Sequence, residues 1–186
     1  DFSFRGERSE VLIGENNIIR ENVIINRATH EGCQTVIGNS NMLMEGVHIS
    51  HDTKIGDYNV FGYGTKIAGD CEIGKGVIFS SSVIENSGTR VGDLAMLQAG
   101  TRFSKDVPPY VIAGGNPIEY GGPNNTLMET WKIDEKVRRH VANAYRLLFH
   151  SKNSVFDCML QIKEQVPDGE QVRNIIKFLG ETKVGI

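Results

Sequence analysis

The chain has 186 residues, 39% of them hydrophobic, enough for one ordinary core or for one repeat domain with a small appendage. Twenty Lys and Arg against 23 Asp and Glu leave a net charge of -3, which excludes a strongly basic nucleic-acid binder. Cys33, Cys71 and Cys158 have no CxxC spacing, and no apolar run or signal peptide is present, so a soluble protein of the reducing cytoplasm is expected, without disulfides, thiolate zinc or a membrane span.

Read in blocks of six from Val11, the chain keeps its frame for about a hundred residues: VLIGEN, NIIREN, VIINRA, THEGCQ, TVIGNS, NMLMEG, VHISHD and onward to TRFSKD. The third place is Ile, Leu, Val or Phe almost throughout, and Gly, Ala or Ser often follows it. A helix of period 3.6 or a strand of period 2 does not hold a strict six, whereas a parallel β-helix does. The pairs Ile37-Gly38, Ile55-Gly56, Ile73-Gly74 and Val91-Gly92 recur eighteen apart, so each coil has three short faces and equivalent residues stack. At a strand spacing of about 4.8 Å, five or six coils make a prism roughly 25 Å tall. The third place is expected to face inward, and the small fourth residue to let the chain turn.

Near Val107 the frame gives way to VPPYVIAGGNPIEYGGPNN, whose Pro and Gly content argues against continuing a ladder. The expected division is a β-helix over residues 1–122 and a small α-helical domain over 123–186. In that tail Val137, Val141, Ala144 and Leu148 recur at helical spacing. Ser154 can cap a second helix, and Asp168 with Gln171 reads as a capping box for a third that Gly180 stops. Residues 1–122 hold 10 basic and 15 acidic side chains, against 10 and 8 in 123–186, so the tail suits docking of an acidic partner.

The block VHISHD places His48 and His51 together, with Asp52 beside the second. An imidazole held by a carboxylate can take a proton from a hydroxyl nucleophile. The alternative is that both histidines decorate the outside of a coil. His30 lies eighteen residues before His48, and a three-histidine zinc site is a further reading if no loop intervenes. THEGCQ lacks the apolar third residue, however, so a loop is expected there and no metal is assigned. Glu85 breaks the inward register of its block and is expected to reach a polar cleft, because a buried carboxylate needs a partner or a raised pKa.

From Asp1 to about Ser151 the chain resembles the acyl-carrier-protein-dependent UDP-N-acetylglucosamine O-acyltransferases that begin lipid A synthesis. IRENVIINRAT, NMLMEGVHISHDTKIG, TKIAGD, DVPPYVIAGGNP and a later helix with NAYRLL carry the likeness. Isoleucine-glycine blocks occur in many enzymes; the HxxHD block, the connector and the helical tail in this order are more specific. The resemblance implies a left-handed β-helix, although crossovers between parallel strands are normally right-handed. It also implies a homotrimer with active sites between subunits, and further coils ahead of Asp1.

By the same resemblance His51 is the general base toward the glucosamine 3-hydroxyl, Asp52 orients it, and the Gly69 N–H is the oxyanion donor. Asp1, His48, Glu85, Asn124, Asp70 and Ala99 are implied substrate contacts, Ala99 limiting the acyl chain. The donor is a (3R)-hydroxyacyl group on the phosphopantetheine of acyl carrier protein, with no separate cofactor. Ser3, Asn26, Asp70, Glu85, Thr130 and Trp131 depart from the family's pattern at nucleotide- or cleft-facing positions. They leave two alternatives: a related transferase acting on another nucleotide or amino sugar, and a non-catalytic trimeric scaffold.

Overall fold

The computed structural model describes residues 4–151 and 153–186. A three-faced parallel β-solenoid is followed by four helices. The first face stacks Glu10–Ile13, Gln34–Ile37, Lys54–Ile55, Glu72–Ile73 and Arg90–Val91. The second stacks Ile18–Ile19, Met42–Leu43, Val60–Phe61, Ile78–Phe79 and Met96–Leu97, and the third Ile24–Ile25, His48–Ile49, Lys66–Ile67, Ile84–Glu85 and Arg102–Phe103.

In the coils from Thr35 onward two places of each block are buried. The third supplies Ile37, Leu43, Ile49, Phe61, Ile67 and Phe79, each no more than 1% exposed. Every such side chain contributes on the order of 1.5–3 kcal/mol through burial, and Phe61 stacks on Phe79 at 4.9 Å between ring centroids. The first place, which period-six reading leaves unassigned, is also buried at Thr35, Asn41, Thr53, Asn59, Thr65 and Thr89. Buried polar groups need partners. The asparagines answer this at Oδ1 by stacking: Asn41 N–H donates to Asn17 Oδ1, Asn59 N–H to Asn41 Oδ1, and Val77 N–H to Asn59 Oδ1, at 2.7–2.8 Å, whereas Nδ2 of Asn41 and Asn59 has no partner among the described residues.

The corner is not turned at the small fourth place. It is turned at the sixth, where Ser40, Asp52, Tyr58 and Asp70 have φ near +60°, a region that favours Gly, Asn and Asp. The fourth place is small for another reason. A Cβ on Gly38 would lie 2.6 Å from the Gly56 carbonyl oxygen of the next coil.

The spacing between the first two coils is 24, not 18: Glu10 pairs with Gln34, Ile18 with Met42 and Ile24 with His48. One block, residues 29–34, is looped out, as the missing apolar residue in THEGCQ leads one to expect. Ile24 rather than His30 is therefore the column neighbour of His48, and the stacked three-histidine register does not form.

The connector corrects the expectation that proline and glycine end the ladder. Val111–Gly114 pairs parallel with Met96–Leu97, and Glu119–Pro123 returns antiparallel along it. Pro108 and Pro109 precede the first of these strands and Pro117 sits in the turn, so no inner ladder bond is lost. Helix α1 (Asn125–Thr130), which the apolar spacing does not reveal, comes next, followed by α2 (Glu135–Phe149), α3 (Val155–Gln165) and α4 (Glu170–Gly180).

Ser154 caps α3 by accepting from Asp157 N–H. No capping box forms on α4: its N-cap is Gly169, and Asp168 pairs with Arg173 instead. The helices are fastened to the prism by Arg90, which donates to buried Asp106 at 3.0 Å and to the Phe178 carbonyl at 2.9 Å. Tyr145 adds a hydroxyl bond to the Pro109 carbonyl.

Candidate active site

The third and first faces meet at the corner made by His51 and Asp52. His51 Nδ1 lies 2.8 Å from Asp52 Oδ2, with His51 19% and Asp52 8% exposed. A carboxylate in that position holds the proton on Nδ1 and leaves the lone pair on Nε2. Asp52 is itself tightly held. Its N–H donates to Thr35 Oγ1 at 2.9 Å, and its Oδ2 accepts from Thr29 N–H at 3.0 Å and the Thr29 hydroxyl at 2.7 Å. Partial burial pushes its pKa up, but the bonds from Thr29 and His51 outweigh burial, and the net shift is below the usual carboxylate value.

One coil on, Gly69 lies against the imidazole. A Cβ there would stand 2.5 Å from His51 Cε1 and Nε2, so no larger residue fits without moving the ring. The Gly69 carbonyl is fixed by Gly88 N–H at 3.1 Å and the Ser87 hydroxyl at 2.7 Å, while its own N–H has no hydrogen bond among the described residues. Next to it, exposed Asp70 donates its N–H to the His51 carbonyl at 3.1 Å. His48 stands on the third face with Nε2 2.6 Å from Asn26 Oδ1. Burial and the neighbouring Lys66 hold it below the usual histidine pKa. A shallow groove beside Asp52 is lined by His30, Cys33, Lys54, Asp70 and Glu72.

The remaining expected site residues lie elsewhere. Glu85 occupies the inward third place between Ile67 and Phe103 and is 1% exposed. It faces neither a cleft nor solvent. Its Oε1 shares a 2.9 Å hydrogen bond with the Thr89 hydroxyl, Oε2 has no partner among the described residues, and burial pushes its pKa up to about 8.

Asn124, expected at the donor arm, is 1% exposed and engaged at both ends of its side chain. Oδ1 caps α1 by accepting from Leu127 N–H, and Nδ2 donates to the Leu94 carbonyl. Ala99 is exposed, but on the corner between the second and third faces. Asp1 and Ser3 fall outside the described residues. The residues that sequence reading missed are Thr29, whose only signal is the looped-out block in front of Asp52, and Thr35, which holds the regular first place of its block.

Comparison with known proteins accounts for both parts of the chain. Residues 34–69 match the bacterial transferase hexapeptide family, and residues 106–186 match the second domain of UDP-N-acetylglucosamine O-acyltransferase. An acyl-[acyl-carrier-protein]–UDP-N-acetylglucosamine O-acyltransferase of Xylella fastidiosa is 34% identical over 181 residues, covering 96% of this chain and 69% of the relative. The UDP-N-acetylglucosamine acyltransferase structure from Bacteroides fragilis superposes with a TM-score of 0.97 at 40% identity, covering all of this chain and 73% of that one. The Acinetobacter baumannii structure gives 0.96 at 31% identity over the same shares. The chain belongs to the UDP-N-acetylglucosamine O-acyltransferase family.

Proposed function

We propose that the protein transfers a (3R)-hydroxyacyl group from acyl carrier protein to the 3-hydroxyl of UDP-N-acetylglucosamine, the first step of lipid A synthesis. The observation that carries this reading is the His51–Asp52 pair lying directly against the Gly69 backbone. His51 Nε2 accepts the proton of the sugar hydroxyl as its oxygen attacks the thioester carbonyl. The Gly69 N–H stabilises the oxyanion. The C–S bond then breaks, and the imidazolium returns its proton to the departing thiolate. Asp52 stays ionised throughout, in keeping with its lowered pKa. A placed base is worth roughly 10²- to 10⁴-fold and an oxyanion donor about 10²- to 10³-fold. Direct attack needs neither a covalent enzyme intermediate nor a further cofactor.

His51 and Ala99 belong to different corners of one prism, which suits a homotrimer whose site is shared by neighbouring subunits. The acidic carrier protein is assigned to α2, where Arg146 is exposed and Arg138 and Arg139 pair with Glu129 and Glu135. No helix among the described residues is long and apolar enough to cross a membrane, in keeping with work in the cytoplasm. The test is an acyl-transfer assay with hydroxyacyl carrier protein and UDP-N-acetylglucosamine. His51→Ala is expected to lower turnover by about 10²- to 10⁴-fold; turnover near the unmodified level would reject the base assignment. An amine acceptor assayed in parallel separates O-acyl from N-acyl transfer.

A further inference from the structure

An insertion into the eighteen-residue period, which sets pairing partners 24 apart, lies in front of the catalytic corner. Every regular coil already brings a small first-place residue beneath this corner, and in the second coil that residue is Thr35, which accepts the Asp52 N–H. The looped-out block 29–34 adds a second threonine to the same carboxylate. Thr29 is 3% exposed and donates to Asp52 Oδ2 twice, from its N–H at 3.0 Å and its hydroxyl at 2.7 Å. This is the same oxygen that accepts from His51 Nδ1 at 2.8 Å. His30 follows, with Nδ1 3.2 Å from the Thr29 hydroxyl and 3.6 Å from Asp52 Oδ1.

We propose that Thr29 is a positioning residue for acyl transfer: its two hydrogen bonds fix the plane and charge of Asp52, and through Asp52 the ring orientation and tautomer of His51. A carboxylate attached to one imidazole alone can rotate about its Cβ–Cγ bond and present either oxygen. Two donors from Thr29 on Oδ2 remove that freedom, so the Nδ1–H···Oδ2 bond has one geometry and Nε2 one direction. Partners that orient a functional imidazole in this way typically matter by 10- to 100-fold, as they do around metal-bound histidines. The hexapeptide insertion is thus a second-layer support brought to the site from outside the coil. Thr29 does not itself touch substrate.

This inference rests on the reading of His51 as general base, and its test separates the two. Thr29→Val keeps the shape and removes the hydroxyl donor; Thr29→Ser restores it. Thr29→Ala is read in the same way should the valine protein not fold. Expected for Thr29→Val is a fall in kcat of about 10- to 100-fold with KM for the nucleotide sugar little changed, together with near-normal kcat for Thr29→Ser. Nitrogen-15 spectra of the His51 ring supply a readout independent of activity: a single Nδ1–H tautomer in the unmodified protein and a mixture in Thr29→Val. Unchanged kcat and tautomer in Thr29→Val overturn the proposal, and so does a Thr29→Ser protein as impaired as Thr29→Val, because packing would then explain the loss. If the unmodified protein transfers no acyl group, the functional reading falls, and the tautomer comparison still decides for or against Thr29.

Discussion

Asp52 and Glu85 are carboxylates of the same prism, and the coil sends them in opposite directions. Asp52 sits at a corner in the sixth place of its block, where backbone and side-chain donors converge, and its pKa is lowered. Glu85 sits in the third place between Ile67 and Phe103, where Thr89 is its one hydrogen-bond partner among the described residues, and its pKa rises to about 8. The same functional group is thus an anion at one address and a neutral acid at another. In a solenoid, place within the block decides the chemistry of a residue before its identity does.

Four substitutions break or sharpen that contrast. Asp52→Asn is expected to have the largest effect, up to about 10⁴-fold in kcat, because an amide can hold the wrong imidazole tautomer; steady-state kinetics over a range of pH reads it. Gly69→Ala forces a Cβ to within 2.5 Å of the His51 ring. A displacement of about 1 Å at a catalytic group costs on the order of 10²-fold, so kcat should fall by that factor while the melting temperature barely moves.

For Glu85→Gln the readout is stability against pH. The folded-state pKa of about 8 lies above the reference value of 4.5, so the unfolded chain gives up this proton first. Glu85 therefore contributes stability that is fully present below pH 4.5 and is lost as pH rises toward 8, with a slope of at most about 1.4 kcal/mol per pH unit. Glutamine removes this slope. Denaturant melts between pH 5 and 9 should show the two proteins diverging in favour of glutamine at the alkaline end; parallel curves would mean that Glu85 is ionised in the fold. Thr89→Val is the smallest change, withdrawing the hydroxyl that Glu85 Oε1 bonds and costing about 1–3 kcal/mol, measured by the same melts.

Much of this architecture is legible in the sequence, because a period of six with an apolar third place admits few other folds. His51, Asp52 and Gly69 were grouped through the family resemblance, and the eighteen-residue coil accounts for it by bringing Gly69 against His51. Legibility ends where residues act out of frame. Glu85 read as a cleft residue because its charge argued for water, yet the ladder on either side, Ile67 and Phe103, carries it inside. Asn124 was expected to meet substrate, but it closes the first turn of a helix too short to show apolar spacing. The strands at Val111–Gly114 and Glu119–Pro123 were obscured by prolines that flank the ladder rather than interrupt it. Thr29 could not be found without knowing that the first coil is six residues longer than the eighteen-residue coils that follow.

That extra block also bears on how such a protein can vary. An insertion within a face would turn every later side chain from core to solvent. The loop leaves at one corner and returns to it by Cys33, and Gln34–Ile37 resumes in register against Glu10–Ile13 as though nothing had intervened. Corners are therefore the places where length can change without disturbing the rest. Acceptor preference or regulation can be altered there in new loops while the stacked interior stays untouched.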